Sequence, residues 1–559
     1  MYLYRKPVKL KLKLKLMRKL LTFVASVLIT GSMFAGGLVT NTNQSAAWVR
    51  LPARNASTSI DAAYFNPAGL MKLENGFHIS LSNQSIFQTR EINNTYAGPG
   101  GTFGLNEHIY KGTVTALAFP SVYAVYKMDK LAFSLGFNPI GGGGGAEFKK
   151  GLPSFEVSQS DLVPLLAASQ GASAYRLDAY FKGSSTFLGF QGGVSYKIND
   201  WLSVAAGLRY VTANNTYEGH LTDIEVQLPS GWTRADLIMT GIAAGASGAA
   251  TSTSALVTGG AGGLTLAQAQ GAGIITALQR AQLEGGLTAF GSPTTVTIAT
   301  ADAVFKGAAA KYTATATLLG DQTADASQSG SGITPYFSVN ISPSENLNIG
   351  IKYEMATELE LTNETTKDLL VGFTATGTPI TMFPNGALTR NDMPAMLSVG
   401  VDYKVSTGLK VSLGSNYFFD KTADYGHKWD DDSNSATPTV ALSNSEIIES
   451  NGMSLQAGLE YNISENLLVS GGYVWANKGV NSRYQSDLTY GLATQTFGLG
   501  GAYSVNEKIQ INLGTGYTLY KDDTKVVDHI FSGNNTNIQA NETYSKGTFM
   551  VAVGVDFRF

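Results

Sequence analysis

The segment TFMVAVGVDFRF, residues 548–559, alternates two kinds of side chain without a break. Phe549, Val551, Val553, Val555, Phe557 and Phe559 fall on one face, and Met550, Ala552, Gly554, Asp556 and Arg558 on the other. Successive side chains of a β-strand point to opposite faces, so a period of two describes a strand with one greasy face and one small or polar face.

The same period recurs upstream. Leu397, Val399, Val401 and Tyr403 alternate with Ser398, Gly400 and Asp402, and Leu455, Ala457, Leu459 and Tyr461 alternate with Gln456, Gly458, Glu460 and Asn462. Leu409–Gly414 and Ile509–Gly514 repeat the pattern. Very short polar connections stand at residues 128–129, 199–200, 342–345, 406–407, 464–465 and 506–507, and long polar or Gly-rich stretches separate the pairs they join. Six such turns, with one further strand at each end near 76–91 and 546–559, predict about fourteen strands. An even number, short turns on one side and long loops on the other are the pattern of an all-β transmembrane antiparallel barrel, with its short turns in the periplasm. The terminal Phe559 resembles the signal through which outer-membrane barrels meet their assembly machinery.

Composition agrees with that reading. The 559 residues are 43% hydrophobic, 10% aromatic and 14% charged, with 63 Gly and no Cys, against about 25% charge in a typical soluble domain. Mean hydropathy is only +0.01, and no internal run approaches the roughly 20 apolar residues of a spanning helix. At the N-terminus, Met17-Arg18-Lys19 followed by apolar Leu20–Ile29 and the small residues around Ala35 reads as a secretion signal over 1–35. The preceding VKLKLKLKL, residues 8–16, reads as an extended basic region or as translation upstream of a true start at Met17. Those 35 residues hold eight of the 39 basic residues and none of the 42 acidic ones, leaving 31 against 42 and a net charge of −11. Such a balance argues against nucleic acid as a partner, and an exported chain without cysteine has neither disulfides nor thiol chemistry.

Residues 36–75 precede the first strand yet carry Trp48, Val49, Leu51, Tyr64, Phe65 and Leu70, which need somewhere to bury; the barrel lumen is nearest. Within this segment Asn66-Pro67-Ala68-Gly69 is turn chemistry flanked by apolar residues. The stretch NASTSIDAAYFNPAGLMKL, residues 55–73, resembles the Asn-Pro-Ala hatch of the FadL/TodX family of outer-membrane transporters of long-chain fatty acids and other hydrophobic compounds. Signal segment, hatch position, strand number, a long third loop, MPAMLSVGVDY at 393–403 and the final Phe extend the resemblance over most of the chain. It implies a monomeric barrel over 76–559 in the outer membrane of a Gram-negative-type bacterium. It also implies passive uptake without cofactor or covalent chemistry, in which hatch movement releases an apolar ligand sideways through the wall into the outer-membrane lipid. The longest loop, about 215–332, is richer in Ala and Gly than the family pattern; Ala235–Ser247 and Leu264–Leu283 suit helices, and 243–263 suits a flexible linker.

Asn138-Pro139, followed by Gly141, falls near the top of the third strand and reads equally as a kink in the wall or as the point where that strand leaves the sheet. The glycine run 141–145 lacks the Lys-Ser/Thr and helix start of a phosphate loop. By parity Arg209, Lys352, Glu354, Asp402, Lys410, Glu460 and Asp556 point inward. Arg209, Lys352 and Lys410 are candidates for holding a ligand carboxylate, against the alternative that they brace barrel and hatch in ion pairs. An outer-membrane lipase or protease would need a nucleophile and base. The histidines, His78, His108, His220, His427 and His529, offer only Asp424-x-x-His427 and Asp528-His529, which solvated loop tips explain, and no spacing suits a closed metal site. A general porin or an adhesin is the non-enzymatic rival.

Overall fold

The computed structural model describes residues 38–559 apart from 39, 375–376, 427, 430–439, 442 and 532, so the expected signal segment 1–35 and His427 lie outside the described residues. Long antiparallel strands form a ring, β1 (Gly76–Asn94), β2 (Ile109–Met128), β3 (Leu131–Phe148), β4 (Ala174–Lys197), β5 (Leu202–Leu228), β6 (Gln322–Ser344) and β7 (Leu347–Glu354) making its first half. The second half is β8 (Met396–Lys404), β9 (Leu409–Phe418), β10 (Met453–Asn462), β11 (Leu467–Asn477), β12 (Thr494–Asn506), β13 (Ile509–Tyr520) and β14 (Asn537–Arg558). These are the fourteen strands of a closed barrel, sealed where β1 pairs with β14 from His78–Arg558 to Asn94–Glu542. The six tight turns read from the sequence join β2–β3, β4–β5, β6–β7, β8–β9, β10–β11 and β12–β13.

Alternation along each strand divides the wall into two surfaces. Phe77, Tyr126, Tyr196, Tyr403, Tyr461 and Tyr503 are exposed in a ring beside the tight turns, and Phe87, Tyr210, Phe337, Phe497, Tyr517 and Phe549 in a second ring nearer the loops. Leu135, Leu208, Leu413, Leu499, Leu513 and Val553 are exposed between them. An outward apolar band bounded by aromatic girdles fits a bilayer, whereas water would penalise so much exposed apolar surface. Inward positions carry polar side chains such as Ser195, Ser203, Ser338, Asn340, Asn416 and Ser454, all buried.

Several strands continue beyond the outer girdle as polar ribbons. There the alternation of apolar residues gives way to cross-strand ion pairs, Glu91–Lys111, Lys182–Glu218 and Arg176–Glu225, which support the ladder in water. The third loop consequently spans only 229–321 and is mostly helical: Ala235–Leu256, Leu266–Gly271, Ala277–Ala289 and Ile298–Leu318. The linker expected at 243–263 is helix as far as Leu256. Alanine supplies propensity, Thr251, Ser252 and Thr253 bond back to carbonyls four residues earlier, and a separate core around Leu266, Leu287, Ala301 and Phe305 packs the helices together.

An outward charge between the two aromatic rings tests which solvent faces this wall. Leu499→Arg should cost about 2–4 kcal/mol of folding free energy, measured by denaturant titration in phospholipid vesicles; an unchanged midpoint would remove lipid from that face.

Candidate functional site

The lumen is closed from the tight-turn side by residues 40–73. Ser45 caps the short helix Ala46–Arg50 by accepting from Trp48 N at 2.9 Å, and Trp48, Val49 and Leu51 are buried. A second short helix, Ala62–Phe65, ends at Asn66, and Pro67 opens a tight helical turn, Pro67–Lys72. Proline suits that first position because its fixed φ is already helical and no N–H is lost. Tyr64, Phe65 and Leu70 pack with Tyr123, Val125, Ala132, Phe187 and Val211 of the wall.

The Asn66-Pro67-Ala68-Gly69 turn is tied to the wall atom by atom. Asn66 Nδ2 donates to Ser57 O at 3.1 Å and to Asn340 Oδ1 at 2.8 Å, while its Oδ1 accepts from Ser338 Oγ at 3.0 Å. Ser195 Oγ donates to Pro67 O and Ser203 Oγ to Ala68 O, each at 2.7 Å. Three neighbouring strands, β4, β5 and β6, thus read the backbone of one turn. Gly69 is dictated by close approach, since a Cβ there would stand 2.4 Å from Ser57 O. On the wall, Gly400 has the same role: its Cβ would lie 2.4 Å from Ala56 N.

Charges complete the attachment. Arg209 grips Glu354 with two parallel bonds of 2.8 Å, and Lys352 Nζ reaches Glu354 Oε1 at 2.8 Å and Tyr64 O at 2.6 Å. Both cations lie over the Tyr64 ring, at 5.1 and 4.3 Å from its centre. Lys410 pairs with Glu460 at 2.9 Å, and Arg50 of the N-terminal segment takes the other oxygen of Glu460 at 2.6 Å. Asp61 accepts from Arg54, Ser45 and Ser57 within that segment. Arg209, Lys352 and Lys410, candidates for a ligand carboxylate or for bracing ion pairs, each sit on a barrel carboxylate. Bare charge buried in this way would be costly, and bidentate pairing with further hydrogen bonds offsets that cost.

The wall is incomplete at one place on this level. β2 and β3 pair at Gly112–Phe148 and Thr113–Glu147, then only from Val122–Phe137 downward. β3 runs through Asn138-Pro139 and Gly141, and its register against β4 shifts twice there. Residues of the N-terminal segment supply the missing partners: Asn41 N donates to Ile140 O at 2.8 Å, Asn41 Nδ2 to Gly142 O at 3.1 Å, and Gln44 Nε2 to Pro139 O at 2.8 Å. Asn138 Nδ2 returns a bond of 2.8 Å to Gln44 Oε1. On the lipid side Leu117 and Leu135 flank the opening.

Nearer the outer mouth, the helices Pro153–Ser160 and Leu162–Gln170 lie across the lumen. Phe155, Leu162 and Val163 pack with Tyr96, Leu105 and Phe181, and Glu156 accepts from the hydroxyls of Tyr110 and Tyr175. Asp487, in a loop, accepts from Ser154 N at 2.9 Å; burial lifts its carboxyl above the ordinary range, against the pull of the Ser154 hydrogen bonds. His529 Nε2 meets Asp161 at 3.0 Å, and Asp528 bonds Asn537 and Gln539, so that pair forms no nucleophile–base relay. Among the described residues no group of three acidic or histidine side chains could hold a metal.

Sequence reasoning passed over Pro120 and the 40–44 strap. Pro120 stands in β2 along the unpaired stretch, 19 positions before Pro139 in β3. A proline in each of two adjacent strands, both lacking ladder donors, was a readable signal of an opening.

No protein-family model matches the sequence, and a search of curated proteins found no match. Among solved structures, the chain is similar to a Pseudomonas aeruginosa FadL homologue, with 12% identity, a TM-score of 0.55, and coverage of 95% of this chain and 100% of that one. It is also similar to a TodX deltaS2S3 mutant described as a monoaromatic hydrocarbon channel, with 14% identity, a TM-score of 0.50 and coverage of 93% and 100%. At these identities the likeness is one of fold, and it matches the barrel architecture expected from residues 55–73.

Removing the Asn66 side chain takes away its bonds to Ser57 O, Ser338 and Asn340 without touching the outer girdle. Asn66→Ala should cost ~1–3 kcal/mol in hatch docking and speed amide exchange across residues 60–73, while heat-modifiable migration shows the barrel intact. Unchanged exchange would show that the turn does not anchor the hatch.

Proposed function

We propose that this barrel is an outer-membrane passage for hydrophobic small molecules, in which residues 40–73 act as the hatch and ligand leaves sideways between β2 and β3. The observation that carries the reading is the missing ladder between Thr113–Glu147 and Val122–Phe137, filled from inside by Asn41 and Gln44. A wall whose hydrogen bonds are completed by a separable segment can open without breaking a continuous ladder. Leu117 and Leu135 outside the gap offer an apolar route into lipid.

Straight descent is the less favourable path. The tight-turn end holds a cavity of about 220 Å³ lined by Asn348, Asp402, Lys404, Lys410, Glu460 and Asn462. An alkyl chain entering it would exchange apolar contacts for charged groups and water, at roughly 0.8 kcal/mol per methylene. The fold's likeness to a FadL homologue and a monoaromatic hydrocarbon channel supports a ligand class that takes in fatty acids and aromatic hydrocarbons.

The absence of cysteine gives a clean test. Thr40 and Gly141 are bridge partners, so Thr40→Cys with Gly141→Cys should form a disulfide that ties the strap to the gap. Uptake of labelled dodecanoate or toluene by cells should stop in the oxidised double variant and return on reduction. Uptake at the wild-type rate while oxidised would overturn the lateral route. Deletion of residues 40–73 should convert a nearly silent barrel into a steadily conducting one in planar bilayers; large steady conductance of the wild type would favour the general-porin reading instead.

A further inference from the structure

The lipid face of β1 breaks its own pattern beside the wall opening. Phe77, Ile79, Leu81 and Phe87 are its apolar outward residues, but Asn83 and Ser85 fall between them on the same face. Asn83 stands opposite Val553 of the exposed apolar band, at a depth where a polar side chain is costly.

The neighbouring strand accounts for both residues. β1 and β2 pair from Gly76–Lys127 to Gln84–Phe119, and again from Ile86–Ala116 upward. Between those pairs β2 carries two residues, Leu117 and Ala118, against Ser85 alone, which makes a β-bulge. Asn83 Nδ2 donates to Leu117 O at 3.0 Å, Asn83 Oδ1 accepts from Phe119 N at 3.0 Å, and Ser85 Oγ donates to Leu117 O at 2.9 Å. One side-chain amide thus takes the place of a strand backbone, at a depth where water cannot do so.

The bulge lies along the unpaired stretch of β2, and the two edges of the opening lean apart. Leu117 is 64% exposed and Ala118 beside it is exposed as well, so β2 arches toward lipid. Across the opening Asn138, Pro139, Ile140 and Gly141 are buried in succession, so β3 bends toward the lumen, where Asn41 and Gln44 hold it. Chain length does not part them: between the flanking pairs β2 advances from 113 to 122 and β3 from 137 to 147, nearly equal runs.

We propose that Asn83, seconded by Ser85, is a positioning residue of the lateral passage: from the lipid side it holds β2 at Leu117–Phe119 away from β3 and keeps the ladder between them from closing. The inference rests on the passage reading above and adds an outer hold to the inner one of Asn41 and Gln44. The inner hold belongs to the segment that must move, whereas the outer one is built into the wall.

Asn83→Val gives the lipid face the apolar residue its neighbours carry and strips the bulge of its amide. Leu117 O and Phe119 N must then find partners across the opening, on β3. Thr115 and Gly145 face each other when the register of Gly112–Phe148 is extended, and a Cβ at Gly145 meets Ser184 Cβ at an ordinary 3.5 Å. In nanodiscs, Thr115→Cys with Gly145→Cys should oxidise to a disulfide at least about tenfold faster once Asn83→Val is added, because the bond needs Cα atoms within about 7 Å. In cells, Asn83→Val alone should lower uptake of labelled dodecanoate by about tenfold with heat-modifiable migration retained. A wall that was merely loosened would cross-link faster and also take up more, so the opposed directions of the two readings mark a positioning role. Ser85→Ala, which leaves the amide in place, should move both readings the same way by about twofold to threefold, and decides alone if Asn83→Val does not insert. Unchanged cross-linking, or uptake that stays level or rises, overturns the role of Asn83 and leaves the passage standing. The cross-linking arm needs no transport, so it decides the hold of Asn83 on β2 even where the oxidised Thr40→Cys/Gly141→Cys variant has overturned the lateral route.

Discussion

A strand ladder in lipid has no water to complete it, and most of this molecule follows from that. Each backbone N–H and C=O at membrane depth needs a partner within the protein. The seam between first and last strands meets the demand along its whole length, from His78–Arg558 to Asn94–Glu542. Where prolines at 120 and 139 interrupt the ladder between β2 and β3, the same demand is met from within by Asn41 and Gln44. The N-terminal segment is therefore more than a filling in a pre-formed hole. It is a part of the wall that belongs to another stretch of chain, and its attachment and the integrity of the barrel at that point are one quantity.

On the passage proposed above, such a part would have to be held firmly yet remain separable, and the lumen's contacts divide by chemistry in a way that suits both tasks. Tyr64, Phe65 and Leu70 bury apolar side chains of the segment against the wall, but apolar packing alone is indifferent to register. Register comes from polar groups: Ser195, Ser203, Ser338 and Asn340 around one turn, and the Lys352 ammonium on Tyr64 O. Hydrogen bonds of this kind are modest in net energy when exchanged for water and costly when merely broken. On the passage proposed above, a segment held this way would release readily only when ligand or water takes over its partners.

The barrel was legible because two independent signals agreed. Alternation in segments such as 548–559 gave the faces, and six short polar turns gave the number of strands. The upper halves of the strands were hidden because, outside lipid, neither face needs to be apolar; Glu91–Lys111 and Lys182–Glu218 hold their register instead. Residues 243–263 read as linker because Ala, Gly, Ser and Thr are also what a helix uses where it packs closely on another. Inward parity of Arg209, Lys352 and Lys410 was readable, but their partners were not, since the sequence places Arg209 and Glu354 145 positions apart. The joining of Asn41 to Ile140 is likewise a long-range fact that no local pattern encodes.

The helical third loop carries a consequence of its own. β5 and β6 are neighbours in the ring, paired as far as Leu221–Gln322, so the helices Ala235–Leu256 to Ile298–Leu318 leave and rejoin the wall side by side. Their core around Leu266, Leu287 and Phe305 is their own, while Ala235, Met239, Tyr312 and Ala316 at the two ends pack into the cluster at the outer mouth. To the barrel the part of the excursion between those ends is equivalent to a hairpin turn. That makes it an interchangeable module: its length and surface can diverge, or be replaced by a grafted domain displayed at the outer mouth, without a change of register in the strands beneath.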